Sequence, residues 1–182
     1  MDRLTDLDQL KKFLHAAGLK PRDYLGQNFL ADEEVLQEIV AAADLKPTDT
    51  VLEVGPGLGV LTSELVQRAK KVLVVEKDQK LIPILRREFR GRQNLEIIEG
   101  DILKFHLAKN LSGPYKVVAN IPYYLTSKLF QYFLEQETPP QSLVLMVQKE
   151  VGERVTAGPG KFSILGISVQ IFAQAEIVAT VS

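Results

Sequence analysis

The sequence has no cysteine and no tryptophan, and only two histidines, His15 and His106, among its 182 residues. Without cysteine there is no disulfide, no thiolate metal site and no cysteine nucleophile. Two histidines are too few for a histidine-rich metal centre or a Ser-His-Asp triad, so no metal is expected. Long apolar runs are also missing: nothing approaches the roughly 20 residues that span a bilayer. The opening stretch Met1-Asp2-Arg3-Leu4-Thr5-Asp6 is charged and has no hydrophobic signal core. A cytoplasmic protein with no membrane partner is the plain expectation. Net charge is nearly absent too, −1 overall, which does not advertise a binder of polyanions.

What is present is ordinary for a globular domain: 46% hydrophobic and 25% charged residues. That balance excludes disordered, collagenous and coiled-coil chains. At this length roughly 70% of the unfolded surface can be buried, enough for a full core. Charge is unevenly spread. Between Arg68 and Arg92 nine basic residues stand against three acidic ones, a local +6 that leaves −7 for the rest. Such a run is either a solvated helix face or a patch for phosphate.

Helix and strand patterns alternate along the chain, without an internal repeat. Thr5 to Ala17 reads as an amphipathic helix stopped by Gly18, and residues 20–30 as a loop holding Gly26-Gln27-Asn28-Phe29-Leu30. Asp32 caps a helix with Val35, Leu36, Ile39 and Val40 at helical spacing. Short apolar runs then suit buried parallel strands: Val51–Val54, Val72–Val75, Leu95–Ile98, Lys116–Ala119 and Leu143–Val147. Helices are expected between and after them, at about 60–69, 79–90, 127–135 and 149–156. Pro83 should kink or delay the second of these. Ser163 to Ala173 is a candidate helix, and Glu176 to Val181 a candidate last strand. The class is α/β with a doubly wound, mostly parallel sheet.

Val54-Gly55-Pro56-Gly57-Leu58-Gly59 follows the first strand and opens a helix. Glycines there allow a tight turn and a close approach of backbone amides to a ligand. Glu76 ends the next strand, where a carboxylate can accept hydrogen bonds from both hydroxyls of a ribose. The G-x-G-x-G spacing departs from the G-x-G-x-x-G of dinucleotide folds, which favours a nucleoside-type cofactor and leaves NAD as runner-up. Glu99-Gly100-Asp101 closes the third strand. Asp101 is either an acceptor for an adenine amino group or an ordinary turn aspartate.

Asn120-Ile121-Pro122-Tyr123-Tyr124 closes the fourth strand. A prolyl turn there lets the Asn120 side chain and the Ile121 carbonyl converge on one small polar group, with Tyr123 as a flat face beside them. An exocyclic amine on a base requires such a set: two acceptors for its hydrogens and a ring for stacking. The bland reading is a strand terminator followed by packing tyrosines, and the Tyr124 ring is assigned to packing.

Six motifs in order resemble the small-subunit ribosomal RNA adenine dimethyltransferases, relatives of the erythromycin-resistance ribosomal methyltransferases. They are Gly26-Gln27-Asn28-Phe29-Leu30, Glu53-Val54-Gly55-Pro56-Gly57-Leu58-Gly59, Glu76-Lys77-Asp78, Glu99-Gly100-Asp101, Asn120-Ile121-Pro122-Tyr123 and Gln148-Lys149-Glu150-Val151. The resemblance covers nearly the whole chain. It implies a Rossmann-like class I S-adenosylmethionine-dependent methyltransferase fold. The implied cofactor, S-adenosylmethionine, sits at the positions matching Asn28, Leu30, Gly55, Glu76, Asp101 and Asn120. Gln27 belongs to the same loop, and Gly57, Lys77 and Ile102 complete the cofactor set. The catalytic set is Asn120, Ile121, Pro122 and Tyr123. The implied reaction adds two methyl groups to N6 of each of two adjacent adenosines near the 3′ end of small-subunit rRNA. The partner is that RNA or its precursor particle, the setting is ribosome assembly, and the enzyme is expected to be a monomer.

One catalytic domain, 1–182, is expected: an N-terminal helix and cofactor-covering loop over 1–31, and a sheet-and-helix core over 32–182. In the family an aromatic-proline segment, a final strand and a small helical domain follow the strand matching Glu176–Val181. This chain stops at Val181-Ser182. The expectation is therefore a truncated form without that final strand and helical domain, in which cofactor binding outlasts efficient catalysis. Three readings compete: a non-catalytic RNA-binding assembly factor, a DNA adenine methyltransferase and an NAD oxidoreductase. Intact Glu76, Asp101 and Asn120 speak against the first. The Gly26–Leu30 loop speaks against the second, and the glycine spacing against the third.

Overall fold

A computed structural model describes residues 32–121 and 123–181. The expected Thr5–Ala17 helix and the Gly26–Leu30 loop lie outside the described residues. Helix α1 (Glu33–Ala42) starts where expected: the Asp32 carboxylate accepts from the N–H groups of Glu34 and Val35 at 2.9 and 3.2 Å. It buries Val35, Leu36, Ile39 and Val40, the stripe that its spacing predicts.

The alternation then runs β1 (Thr50–Val54), α2 (Val60–Arg68), β2 (Lys71–Glu76), α3 (Ile82–Glu88) and β3 (Leu95–Glu99). After a 3₁₀ turn (Ile102–Lys104) come α4 (Leu107–Asn110), β4 (Lys116–Asn120), a second 3₁₀ turn (Tyr123–Leu125) and α5 (Thr126–Leu134). β5 (Ser142–Met146), α6 (Lys149–Val155) and α7 (Ile164–Gln170) complete the elements. Pro83 acts as anticipated. It sits in the first turn of α3, where its missing N–H breaks no helical bond, and the helix begins at Ile82 rather than near 79.

The five strands form one parallel sheet in the order β3-β2-β1-β4-β5. Period-two alternation divides its side chains between two cores. Val51, Val72, Val74 and Val118 face α1, α2 and α3; Leu52, Leu73, Val75, Val117 and Ala119 face Leu107, Leu111, Leu129 and Phe133 from α4 and α5. Coverage on both faces is why these strands read as unbroken apolar runs. The fold is thus a doubly wound, Rossmann-like α/β sheet.

The end of the sheet where the strands begin is fastened by a cation. Lys116 Nζ, at the start of β4, donates to the carbonyls of Ala43 and Asp44 at 3.2 and 2.6 Å and pairs with Asp49 Oδ2 at 3.0 Å. The C-terminal end of α1 is tied in this way to the starts of β1 and β4.

One expected element is corrected. Glu176–Val181 forms no strand. A strand exists only as one side of a ladder, and β5 pairs with β4 alone among the described residues. Ile177, Val178 and Val181 therefore stand largely exposed, their β-branched side chains giving extended propensity without ladder bonds. The candidate helix over 163–173 is shorter than expected, α7 being capped by the Ser163 hydroxyl, which accepts from Gly166 N–H at 3.0 Å. No helix among the described residues is long and apolar enough to cross a membrane.

Candidate functional site

Every strand points the same way, so residues that end β1, β2, β3 and β4 meet at one edge of the sheet. The chain order reverses between β1 and β4, the position where doubly wound sheets open a crevice for ligands. Gly55 stands directly past β1. Extending the Glu53↔Val118 register by two residues brings Gly55 abreast of Asn120 across that crevice.

Gly55 and Gly59 both hold positive φ, 65° and 86°, a region that L side chains rarely adopt. Their surroundings differ. A Cβ on Gly55 would meet no atom within 4 Å, so the chain turns here beside open space. A Cβ on Gly59 would lie 2.5 Å from the Phe89 ring, so its absence lets the start of α2 seat against the end of α3. The first glycine leaves room for a ligand; the second closes a packing contact.

The loop is stitched to the neighbouring strand ends. Gly55 N–H donates to the Val75 carbonyl at 2.9 Å, and Gly100 N–H to the Glu76 carbonyl at 2.8 Å. Glu76 is 3% exposed, and its two oxygens accept from Gly57 N–H at 3.2 Å and Asp78 N–H at 2.8 Å. Burial raises its pKa against the pull of those amides. A carboxylate offers four acceptor lone pairs, so acceptor capacity toward a diol remains beside these amides.

Asp101 is engaged as well. Its Oδ1 accepts from Leu103 N–H at 3.1 Å, capping the 3₁₀ turn, and its Oδ2 holds Lys77 Nζ at 2.9 Å. The Lys77 hydrogen bond holds the Asp101 carboxyl below its usual range and raises the lysine in return. Lys77 is 67% exposed, a setting in which an ion pair contributes little, so the carboxylate can exchange this partner for another donor. Ile102 is buried beneath the turn.

At the end of β4, Asn120 is half-buried and Ile121 is 1% exposed. Gln27, Asn28, Leu30 and Pro122 lie outside the described residues. Tyr123 is placed by its backbone, at the start of the 3₁₀ turn that leads into α5. The structure therefore gathers Gly55, Gly57, Glu76, Lys77, Asp101, Ile102, Asn120, Ile121 and the Tyr123 backbone along one edge. The packing role assigned to Tyr124 is corrected. Its ring is 56% exposed. The 3₁₀ turn carries it outward over the rim of the site.

Glu53 was not among the expected site residues. It lies inside β1 at 1% exposure and accepts from the Thr62 hydroxyl of α2 at 2.6 Å. Burial pushes its carboxyl up to about 8, against the hydrogen bond from Thr62, and the nearby Glu76 charge adds to the rise. Its signal in the sequence is a lone acid within the apolar run Val51-Leu52-Glu53-Val54. A charge on a strand covered on both faces calls for a reason other than solvation.

With this geometry in view, the comparisons with known proteins are decisive. The family profile described as "Ribosomal RNA adenine dimethylase" matches residues 18–182. The chain belongs to that family. It is 48% identical over 177 residues to "Ribosomal RNA small subunit methyltransferase A" of Dehalococcoides mccartyi (strain ATCC BAA-2100 / JCM 16839 / KCTC 5957 / BAV1), covering 95% of this chain and 60% of the relative. To the protein of the same name from Alkaliphilus metalliredigens (strain QYMF) it is 42% identical over 188 residues, covering 100% of this chain and 66% of the relative. The chain thus spans about 60% of the length of the first of these. Among solved structures, the 23S rRNA methyltransferase ErmE aligns with TM-score 0.68 and 34% identity, over 77% of this chain and 56% of that one. A dimethyladenosine transferase from Plasmodium falciparum aligns with TM-score 0.66 and 34% identity, over 77% and 51%.

Proposed function

We propose that this ribosomal RNA adenine dimethylase domain uses S-adenosylmethionine to dimethylate N6 of two adjacent adenosines near the 3′ end of small-subunit rRNA, in cytoplasmic ribosome assembly. The observation that carries the reading is the convergence of Gly55, Glu76, Asp101 and Asn120 on one edge at the sheet's switch point, where a Cβ on Gly55 would meet no atom of the described residues within 4 Å. Membership of the family and 48% identity to a small-subunit rRNA methyltransferase support it.

The residues present fit the cofactor. Glu76 offers spare acceptor lone pairs to ribose hydroxyls, and Gly55 and Gly57 leave the backbone approachable. Asp101 accepts from the adenine amino group once Lys77 yields, and Gln27, Asn28 and Leu30 are assigned to the cofactor by the family's motif. When bound, S-adenosylmethionine supplies a methyl group on a sulfonium, which departs without acid assistance. The chain's own task is then to prepare the nucleophile. An adenine amine is a poor one because its lone pair is delocalised into the ring. Acceptors at Asn120 and the Ile121 carbonyl take its two hydrogens and favour a pyramidal nitrogen, and the Tyr123 ring is assigned to hold the base by stacking. Pro122, between them in the sequence, is assigned to the same catalytic set. The N–H proton lost on each transfer passes to water, so no buried general base is needed.

The test combines two measurements. Calorimetry should give binding of S-adenosylmethionine and none of NAD. Mass spectrometry of small-subunit rRNA treated with the protein and cofactor should give N6,N6-dimethyladenosine at two neighbouring positions. Tyr123→Ala should lower the single-turnover rate at least tenfold with cofactor affinity kept, since base stacking contributes about 1–3 kcal/mol. Tyr123→Phe should be mild. Binding of NAD, or methyl groups appearing in DNA alone, would refute the reading.

A further inference from the structure

The cations between Arg68 and Arg92 are not spent alike. Arg68 pairs with Glu64, Lys71 with Glu96, Lys77 with Asp101 and Arg87 with Glu88. Lys70, Lys80, Arg86, Arg90 and Arg92 are exposed and have no carboxylate partner among the described residues. Three of these five sit on two turns that the sequence separates and the fold joins: the α2–β2 turn with Lys70, and the α3–β3 turn with Arg90 and Arg92.

Those turns are held together from within. The Asn94 side-chain amide donates to the Val66 and Ala69 carbonyls at 2.9 and 3.1 Å, clipping the second turn to the first. Val72 N–H donates to the Asn94 carbonyl at 2.8 Å, and the Lys70 and Lys71 N–H groups donate to the Asp49 carbonyl at 2.9 and 3.2 Å. An open depression of about 370 Å³ runs along the junction, lined by Lys70, Lys71 and residues 93–96. Lys70 lines this trough beside Lys71, whose ammonium takes up the Glu96 carboxylate of the opposite wall at 3.0 Å, and Arg90 and Arg92 stand just before that wall on the α3–β3 turn.

This place is remote from the reacting edge. It lies where β2 and β3 begin, whereas Glu76 ends β2 and the glycine loop follows the end of β1 beside it. Six residues of strand at about 3.3 Å each put roughly 17–20 Å between the two. Electrostatics favour a polyanionic occupant. The segment 68–92 carries a net +6 against −7 for the rest of the chain, and three of its unpaired cations gather on these turns, which draws a polyanion here and orients an encounter as well as strengthening it.

We propose that the joined α2–β2 and α3–β3 turns are a second docking site for the substrate RNA. They grip its phosphate backbone without reading sequence, at a distance from the base being methylated. The proposal rests on the rRNA reading above and adds to it where the rest of a large substrate lies. It makes the basic cluster a determinant of substrate grip and not of chemistry.

The experiment uses the triple variant Lys70→Gln/Arg90→Gln/Arg92→Gln, with Lys161→Gln as a control for an exposed cation elsewhere. Binding to small-subunit rRNA stripped of protein, and to the intact small-subunit particle, is measured by fluorescence anisotropy from low to moderate salt. Losing three phosphate contacts should shrink the slope of log K against log salt by about 2–3 and weaken low-salt binding at least tenfold. The melting temperature and the affinity for S-adenosylmethionine should match the parent. Lys161→Gln should keep the parent's slope. A triple variant with the parent's slope overturns the proposal. Weaker binding to the particle with unchanged binding to bare rRNA also overturns it, since the contact would then be to a ribosomal protein. The parent protein reports separately on the function: if it methylates rRNA while the triple variant grips RNA as well as it does, only the docking site falls.

Discussion

Asp49 and Glu53 stand four residues apart, at the two ends of β1, and their carboxyl groups are treated in opposite ways. Burial opposes ionisation at Asp49. Yet the Lys46 N–H at 2.9 Å and the Lys116 ammonium at 3.0 Å overcome it and hold that carboxyl below its ordinary value. Glu53 has a single hydroxyl donor and a neighbouring acid, and burial lifts it to about 8. At the start of β1 the acid is thus compensated, by a cation that also serves two carbonyls. The finishing end keeps the buried acids Glu53 and Glu76 without cations, close to glycines at positive φ. Stability is concentrated at one end, and an electrostatic tension that a cationic ligand would relieve is kept at the other.

The strongest way to break this comparison is to titrate it. Below about pH 4.5 Glu53 is protonated in both the folded and unfolded chain, and its contribution to stability is complete. Between that value and about 8 the unfolded chain gives up the proton and the fold keeps it. Stability should then fall with rising pH by up to about 1.4 kcal/mol per unit before levelling. Glu53→Gln cannot ionise and still accepts from Thr62. It should flatten most of this slope and raise the urea midpoint at pH 8; the smaller slope left over, of the same sign, belongs to Glu76, whose pKa is also raised. Asp49 works in the other sense, its contribution fading only as acid takes the pH down through its lowered pKa. A parent protein whose urea midpoint does not change between pH 5 and 8 would remove the tension assigned to Glu53.

Next in size is the fastening at the opposite end. Lys116→Ala leaves Asp49 and two helix carbonyls without their donor, and about 3 kcal/mol of unfolding free energy should be lost. Cofactor affinity in the surviving folded protein should be unchanged. A loss below about 1 kcal/mol would mean that the pair is only a surface contact. Smaller again, and confined to binding, is Glu76→Ala. Removing the acceptors for a ribose should weaken S-adenosylmethionine about 10- to 100-fold by calorimetry, in line with roughly 1.5–3 kcal/mol for hydrogen bonds to a charged group. Equal affinity would misplace the cofactor. The smallest effect is expected at Tyr124. Its exposed ring carries little packing, so Tyr124→Ala should move the unfolding free energy by less than about 0.5 kcal/mol.

These two ends were not equally legible in the sequence. The five strands and the helices between them announce themselves because burial on both faces demands continuous apolar runs, and because Asp32 and Pro83 mark helix starts by chemistry that acts locally. Gly55, Glu76, Asp101 and Asn120 could be read together because each closes a strand, and parallel strands end on one side. Two things could not be read. Periodicity alone treats Glu53 as one more core position, and only the fold shows that its partner is a hydroxyl and not a cation. The run Glu176–Val181 has strand propensity, but a ladder needs a second strand, and local pattern does not say whether one lies alongside. Tyr124 is a lesson of the same kind, since its ring stands exposed on a 3₁₀ turn, which the sequence Tyr-Tyr does not reveal. The tie between Lys70 and Arg90–Arg92 depends on Asn94 bridging residues 25 and 28 positions away.

The 2.5 Å approach between a would-be methyl on Gly59 and the Phe89 ring has a further consequence. Positions 59 and 89 behave as one unit of substitution. A larger residue at 59 requires a smaller one at 89 as well as a tolerance for left-handed backbone, so neither position can drift alone. An engineer who reshapes the glycine loop to admit a bulkier cofactor analogue must therefore redesign the end of α3 in the same step.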